Sequence, residues 1–142
     1  MKKSSTAIKQ SDIKQEWHVV DLKGKILGRV AVDIAKLLMG KSKPNYVRNL
    51  DCGDFVVAIN AKEIKVTGKK ETDKKYYRHS GYPGGFKEET LKKVRERKPE
   101  DIIIHAVSGM LPQNRLKDKM LKRFRVFAGS EHSFEDKFKN KE

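Results

Sequence analysis

The sequence predicts an α/β domain, and three segments of its first half carry that prediction. Residues 17–21 read as a strand, residues 27–39 have the apolar spacing of a helix, and residues 55–59 are a continuous apolar run. A strand, a helix and a strand in this order favour two parallel strands joined by a right-handed crossover. We therefore expect a parallel sheet with helices packed on it.

The length of 142 residues fits a single domain over 1–142. Residues 1–16 are polar and predict an arm or a short marginal helix, and residues 129–142 predict a polar tail that is mobile in the free protein. No apolar run approaches the roughly 20 residues that span a bilayer, so no membrane association is expected. A single cysteine excludes an internal disulfide, and the expected compartment is the cytoplasm.

The predicted first helix presents Val30, Ile34 and Leu37 on one broad apolar face, and Gly40 is a natural stop after it. A lysine-rich loop covers 41–50. The apolar run at 55–59 lacks alternation, which is typical of a strand covered on both faces. Alternation around residues 64–66 allows a further short strand.

The glycines and proline that follow Tyr76 predict irregular structure up to Gly85. A helix is predicted over 87–98, with acids in its first turn and bases in its last.

Residues 99–110 are ambiguous, because three isoleucines favour a strand while the proline and acids at 99–101 favour a helix start. We predict a helix there, another helix over 113–123, and a short strand over 125–128.

The net charge of +14 indicates a polyanionic partner. Nucleic acid fits this charge better than an anionic membrane surface does. The chain shows no helix-turn-helix, zinc-finger or RNP signature. Basic segments that lie far apart in sequence suit a large folded RNA better than one short duplex site.

Catalytic and cofactor motifs are missing from the sequence. The glycines near residues 24–28 and 35–42 fail the phosphate-loop pattern, and GxGxxG does not occur. The four histidines lack the spacing of a helical metal site, and His79 beside Ser80 lacks a third catalytic group. Acids flank Cys52, which disfavours a reactive thiolate. We expect no cofactor, no metal, no small-molecule substrate and no enzymatic activity.

Basic residues interleaved with aromatics and glycines are the positive signal, because cations neutralise phosphates and aromatic rings stack on unpaired bases. The alternative is a solvated lysine-rich loop with its tyrosines packed inward. Three groups form the expected RNA-binding set. They are Lys69, Lys70, Lys74, Lys75, Tyr76, Tyr77, Arg78, His79, Ser80, Tyr82 and Gly84; Arg115, Lys119, Lys122 and Arg123; and Lys41, Lys43 and Arg48.

The second group of predicted residues forms one face of a helix. Over 113–123, Leu116, Met120 and Leu121 project to one side, and the four cations of the second group project to the other. The ordinary interpretation is a solvated outer face, and the one that we favour is a face lying on an RNA backbone.

Four stretches between Trp17 and Ala128 closely resemble the bacterial form of the thirteenth large-subunit ribosomal protein family. They are Trp17, Asp21, Leu27-Gly28-Arg29 and Ala31; Gly53-Asp54, Asn60-Ala61 and Val66-Thr67-Gly68; Tyr77 to Gly85; and Gly109-Met110-Leu111-Pro112, Asn114 and Met120-Leu121-Lys122. The chain departs from the family after Gly129, where a His-Pro-His-like segment is replaced by residues 131–134.

The resemblance implies a three-layer α/β/α fold around a small, mainly parallel four-stranded sheet, and it favours the helix at 99–110. It also implies binding to large-subunit ribosomal RNA beside neighbouring ribosomal proteins, a role early in subunit assembly, and no catalysis. A free RNA-binding regulator of translation is the alternative, and an enzyme acting on RNA is disfavoured by the missing acid or metal constellation.

Overall fold

A computed structural model describes residues 8–138, so residues 1–7 of the predicted arm and residues 139–142 of the predicted tail lie outside the described residues. Its strands and helices follow one another as β1 Trp17–Asp21, α1 Leu27–Met39, β2 Phe55–Ile59, α2 Lys70–Asp73, β3 Lys75–His79, β4 Phe86–Thr90, α3 Leu91–Arg97, α4 Pro99–Met110, α5 Lys117–Lys122 and β5 Phe124–Val126. Short 3-10 helices cover Gln10–Asp12, Ala61–Glu63 and Glu135–Lys137.

The main sheet is parallel and has the strand order β1-β2-β5, which confirms an α/β fold. β1 and β2 pair in parallel as predicted, and both have the predicted bounds. The described sheet has three strands instead of the expected four. The predicted strand near 64–66 is reduced to one parallel bridge between Ile26 and Lys65, because 3-10 helix Ala61–Glu63 turns the chain away immediately after β2.

Helix α1 supplies one wall of the core. Its bounds are as predicted, and Gly40 ends it in the left-handed conformation at φ 76°. Val30 and Ile34 are buried with Leu38, whereas Leu37 is only partly buried. Helix α4 packs along α1, and Val56 and Ala58 of β2 join the same apolar cluster.

Aromatic rings from the segment after β5 cover the opposite face of the sheet. Trp17 stacks on its register partner Phe55 with ring centroids 4.4 Å apart, and it contacts Phe134 at 5.3 Å and Phe138 at 6.2 Å. The central strand is therefore covered on both sides, as its apolar run predicts. The segment from 129 to 138 differs from the expected polar tail, because its phenylalanines pack on the sheet.

Strands β3 and β4 form a two-stranded antiparallel hairpin, which differs from both the irregular segment predicted up to Gly85 and the helix predicted over 87–98. β3 pairs with β4, so residues 75–79 are regular and irregular structure is confined to 80–85. The predicted helix over 87–98 is wrong for residues 87–90, which belong to β4. Helix α3 begins after Thr90, whose hydroxyl accepts a hydrogen bond from the Lys93 amide and caps it.

The two later helices are both present. The helix predicted over 99–110 is confirmed with the same bounds, and its acids lie in the first turn after Pro99. The helix predicted over 113–123 is shorter in the structure, where α5 covers only Lys117–Lys122. The last strand begins one residue earlier than predicted and ends at Val126.

Charged residues are buried where α1 ends and β2 begins. The Arg123 guanidinium donates to both oxygens of Asp51 and to the Leu38 carbonyl oxygen at the end of α1. Gly53 lies so close to the Leu38 carbonyl and Arg123 that a Cβ atom would collide with both. The ion pair therefore joins α1, β2 and the start of β5, and it requires glycine at 53.

Asp54 is the second buried carboxylate of this segment. It accepts hydrogen bonds from the Lys43 ammonium, from the Glu16 amide at 3.0 Å and from His18 Nε2 at 3.0 Å. Burial raises the pKa of the Asp54 carboxyl, but these hydrogen bonds outweigh burial and hold the pKa below its ordinary value of 3.8. Asp54 thereby fixes the approach to β1 against the start of β2.

Replacing Ile34 with Ala tests the core wall. Ile34 is 0% exposed, so we expect urea denaturation to show a loss of about 2–5 kcal/mol of unfolding free energy. Val32→Ala is the control, because Val32 is 41% exposed on the same helix and its loss should stay within about 0.5 kcal/mol. Equal losses in the two variants would remove α1 from the core.

Replacing Asp54 with Asn tests the second carboxylate. At neutral pH we expect the unfolding free energy to fall by about 2–3 kcal/mol, because the Lys43 ammonium loses its charged partner. The folded-state pKa is depressed, so the stabilisation is fully present above the ordinary value of 3.8 and is lost as the pH falls through the lower folded pKa.

The acid dependence of unfolding provides the measurement. The parent should lose stability below about pH 4 more steeply than Asp54→Asn does. Asp33→Asn, an exposed change on α1, should follow the parent curve. Parallel acid profiles for the parent and Asp54→Asn would contradict this account of Asp54.

Candidate nucleic-acid interface

The β3–β4 hairpin divides its aromatic residues between two faces. Tyr77 stacks on Phe86 with centroids 5.7 Å apart, and it is 64% exposed. Tyr82, in the turn, is 75% exposed. Tyr76 instead packs inward against the core and meets His105 edge to face at 5.1 Å. Two of the three expected tyrosines are thus available to a base, and the third has a packing role.

Burial gives Tyr76 a distinct electrostatic environment. Desolvation raises the pKa of its phenol, which Arg95 lowers and Glu71 raises to smaller extents. The hydroxyl is buried without a hydrogen-bond partner among the described residues. Arg95 itself forms a two-pronged ion pair with Glu71, with both N–O distances 2.9 Å, and it also donates to the carbonyl oxygens of Lys62 and Ile64. Tyr76 and Arg95 therefore have structural roles at the base of the hairpin.

The outer part of the hairpin keeps its polar groups exposed. Lys69, Lys70, Arg78, His79 and Ser80 are exposed, and Lys75 is exposed although it pairs with Glu88 at 3.2 Å. The Gly81 amide donates to His79 Nδ1 at 2.9 Å, and Gly84 takes a positive φ of 72° in the turn. Lys74 is half-buried, with its ammonium 5.4 Å from the Tyr76 ring centroid.

The second expected group presents three cations on the surface and one inside. Arg115, Lys119 and Lys122 are exposed, while Leu116, Met120 and Leu121 face the core as predicted. Arg123 departs from the expectation, because its guanidinium is buried against Asp51. The apolar periodicity of the helix predicts an exposed Arg123. The ion pair with Asp51, which is distant in sequence, buries its guanidinium instead.

The third expected group divides in the same way. Lys41 and Arg48 are exposed in the loop after α1. Lys43 donates to Asp54 and to the Cys52 carbonyl oxygen at 3.0 Å, so its ammonium is occupied within the fold. We therefore remove Lys43 and Arg123 from the candidate surface and retain the exposed cations.

The basic groups lie at the two ends of α1. The C-terminal end of α1 leads into the loop that carries Lys41. It also contacts the end of α5, because Arg123 donates to the Leu38 carbonyl oxygen. Its N-terminal end borders a cavity of about 590 Å3 that Lys70 and Lys74 also line. A helix of 13 residues is about 20 Å long, so the two basic groups are separated by roughly that distance.

Arg29 is a candidate that the sequence analysis assigned no role. It lines the same cavity as Lys70 and Lys74, and no ion pair of residues 8–138 includes any of these three. The helical pattern places Arg29 on the outer face of α1. Only the tertiary fold shows that Lys70, at the start of α2, lies near Arg29.

None of the helices in the described part of the chain has the length and apolarity needed to cross a lipid bilayer. Residues 8–138 also hold no cluster of three His, Cys, Asp or Glu side chains positioned to bind a metal ion.

Comparison with known proteins assigns the chain to a family. Residues 15–133 match the family model of ribosomal protein L13. A protein of Aquifex aeolicus named large ribosomal subunit protein uL13 is 57% identical over 125 residues, which are 88% of this chain and 87% of that protein. A protein of the same name from Dehalococcoides mccartyi is 54% identical over the same shares. The chain belongs to the ribosomal protein L13 family.

Proposed function

We propose that this chain is a structural constituent of the large ribosomal subunit that binds its ribosomal RNA and supports early subunit assembly and translation. Its relatives are named as large-subunit proteins, and the family match covers most of the chain. On this proposal it works on the cytoplasmic ribosome, as one domain beside neighbouring ribosomal proteins. It carries no catalytic residues and takes no cofactor or small-molecule substrate.

The placement of exposed cations at both ends of α1 carries the proposal. Two basic surfaces about 20 Å apart match phosphates on separate segments of a large folded RNA, because neighbouring phosphates of one strand are much closer together. The surface at the N-terminal end comprises Arg29 and Lys70, which line one cavity, together with Lys69 beside Lys70. The exposed hairpin residues Lys75, Arg78 and His79 are further candidates for contact with RNA. The surface at the C-terminal end comprises Lys41, Arg48, Arg115, Lys119 and Lys122.

Co-sedimentation distinguishes this role from that of a free RNA-binding regulator. We expect the protein to stay with isolated large subunits after a high-salt wash, because an integrated constituent is held by many distributed contacts. Release of all the protein into the supernatant would favour the regulator.

Replacing Arg115, Lys119 and Lys122 together with Gln tests the C-terminal surface. We expect weaker binding to purified large-subunit ribosomal RNA, and the slope of log affinity against log salt should decrease by about 2–3, since each lost phosphate contact contributes roughly 0.7–0.9. Folding should be unchanged, because these side chains are exposed.

A matched control separates local contacts from total charge. Replacing Lys92, Lys93 and Lys98 with Gln removes the same charge from exposed positions outside the two surfaces. The control should keep nearly the parent slope. Identical slopes for the parent and the Arg115, Lys119 and Lys122 variant would show that the α5 face is merely solvated.

Replacing Tyr77 and Tyr82 with Ala tests stacking on the hairpin. Each lost stacked base should cost about 1–3 kcal/mol of RNA binding free energy, while the salt slope stays constant because no phosphate contact is removed. The Phe replacements keep the rings and should bind as the parent does. Unchanged affinity in both Ala variants would exclude stacking at these positions.

A further inference from the structure

A cavity of about 360 Å3 lies between the hairpin and the helices α3 and α4. Its hairpin wall is the face that carries Tyr76, Arg78, Lys87 and Glu89, which alternate with the residues of the outer aromatic face. Cavities of roughly 300–1,000 Å3 are of the size that holds small ligands. Tyr77 also lines the cavity, although its ring stacks on Phe86, whereas Tyr82 in the turn lies outside the lining.

One part of the cavity wall is apolar. Val94 of α3 is buried there, and Ile104 of α4 lines the cavity while remaining 37% exposed. Tyr76 and His105, which meet edge to face, also line it. Ile104 and the two rings offer a surface against which a flat, weakly polar group can pack.

Another part of the wall is cationic and lacks counter-ions. Arg78 and Lys87 are register partners across the hairpin, and like charges directly opposite one another destabilise an antiparallel pair. Neither has a carboxylate partner in the described ion pairs, because Glu89 is occupied by Arg97 at 2.7 Å. With Asp101 included, three cations and two carboxylates line the cavity, so its wall keeps a positive charge.

A ligand that satisfies both parts combines a flat, weakly polar body with an anion. A nucleotide has this combination, since its base packs on apolar and aromatic side chains while its phosphate pairs with Arg and Lys. An inorganic phosphate would leave the Ile104 wall uncovered. An apolar peptide side chain would leave the repulsion between Arg78 and Lys87 in place.

We propose that this cavity binds one unpaired nucleotide of RNA, with the base against Ile104 and a phosphate between Arg78 and Lys87. The inference rests on the proposed function, because ribosomal RNA is the source of the nucleotide, and it deepens that function by assigning a base-binding site. The Asp101 carboxylate can only accept hydrogen bonds when ionised, so it suits the N–H groups of a base edge.

Lys87→Glu is the first test variant. It places opposite charges across the hairpin at the Arg78 position, so the hairpin should be as stable as in the parent or more so. The phosphate end of the cavity is nevertheless lost. We expect affinity for purified large-subunit ribosomal RNA to fall about tenfold or more, whereas Lys92→Glu, an equal charge change on exposed α3, should have a much smaller effect.

Ile104→Asp is the second test variant, because it places a carboxylate on the base wall and removes no cation. We expect about a tenfold loss of RNA affinity with little change in the salt slope. Val32→Asp is its control, since Val32 is similarly exposed on α1. Unfolding curves for all four variants confirm that the loss does not come from unfolding.

Nuclear magnetic resonance of the full chain tests the ligand directly. Nucleoside 5′-monophosphates at millimolar concentration should shift the methyl signals of Ile104 and Val94 in the parent and leave them unshifted in Lys87→Glu. Inorganic phosphate alone should not shift the Ile104 methyl signals. Absence of shifts with every nucleoside monophosphate overturns the proposal.

The outcomes separate this inference from the proposed function. If Lys87→Glu and Ile104→Asp bind ribosomal RNA as the parent does, while the Arg115, Lys119 and Lys122 variant binds weakly, the cavity proposal is overturned and the RNA-binding role stands. If the two cavity variants bind RNA normally but fail to enter reconstituted large subunits, the occupant is a protein segment and the nucleotide proposal is again overturned.

Discussion

The buried ion pair between Arg123 and Asp51 is the contact on which the rest of the structure depends. It joins residues 72 positions apart, and the same guanidinium binds the last turn of α1 through the Leu38 carbonyl. Removing either partner would strand a buried charge, which is far costlier than losing an exposed pair. Because Asp54 ties the approach to β1 into the same segment, the sheet order and the direction of α1 are both fixed there.

This arrangement divides the cations of the chain into two classes. Arg123, Lys43 and Arg95 have carboxylate partners and hold elements together, so their charges are neutralised within the fold. Arg29, Lys70, Lys119 and Lys122 have no such partner in the described ion pairs, and their repulsion is relieved when a polyanion approaches. On the proposed function, these unpaired cations are the ones that contact RNA.

Local patterns predicted the elements that local forces determine. The apolar face and glycine stop gave the bounds of α1, and the proline and acids at the start of α4 correctly outweighed its isoleucines. The acids of β4 were mistaken for a first helical turn, because only pairing with β3 identifies them as strand residues. Arg123 was assigned to the surface because nothing in its neighbourhood reveals a partner at Asp51. The composition was enough to predict those site residues that are exposed. Their grouping at the two ends of α1 could be seen only in the fold.

The aromatic cover of the sheet has a consequence for the order in which the chain can fold during synthesis. Trp17 is made early, but Phe134 and Phe138, which cover it, leave the translating ribosome only after β5 has emerged. The β3–β4 hairpin, by contrast, pairs residues close in sequence and can form as soon as it emerges. A nascent chain thus exposes the uncovered face of the sheet beside a completed hairpin until residues 134–138 have been made, and loss of those residues would leave an aggregation-prone apolar face.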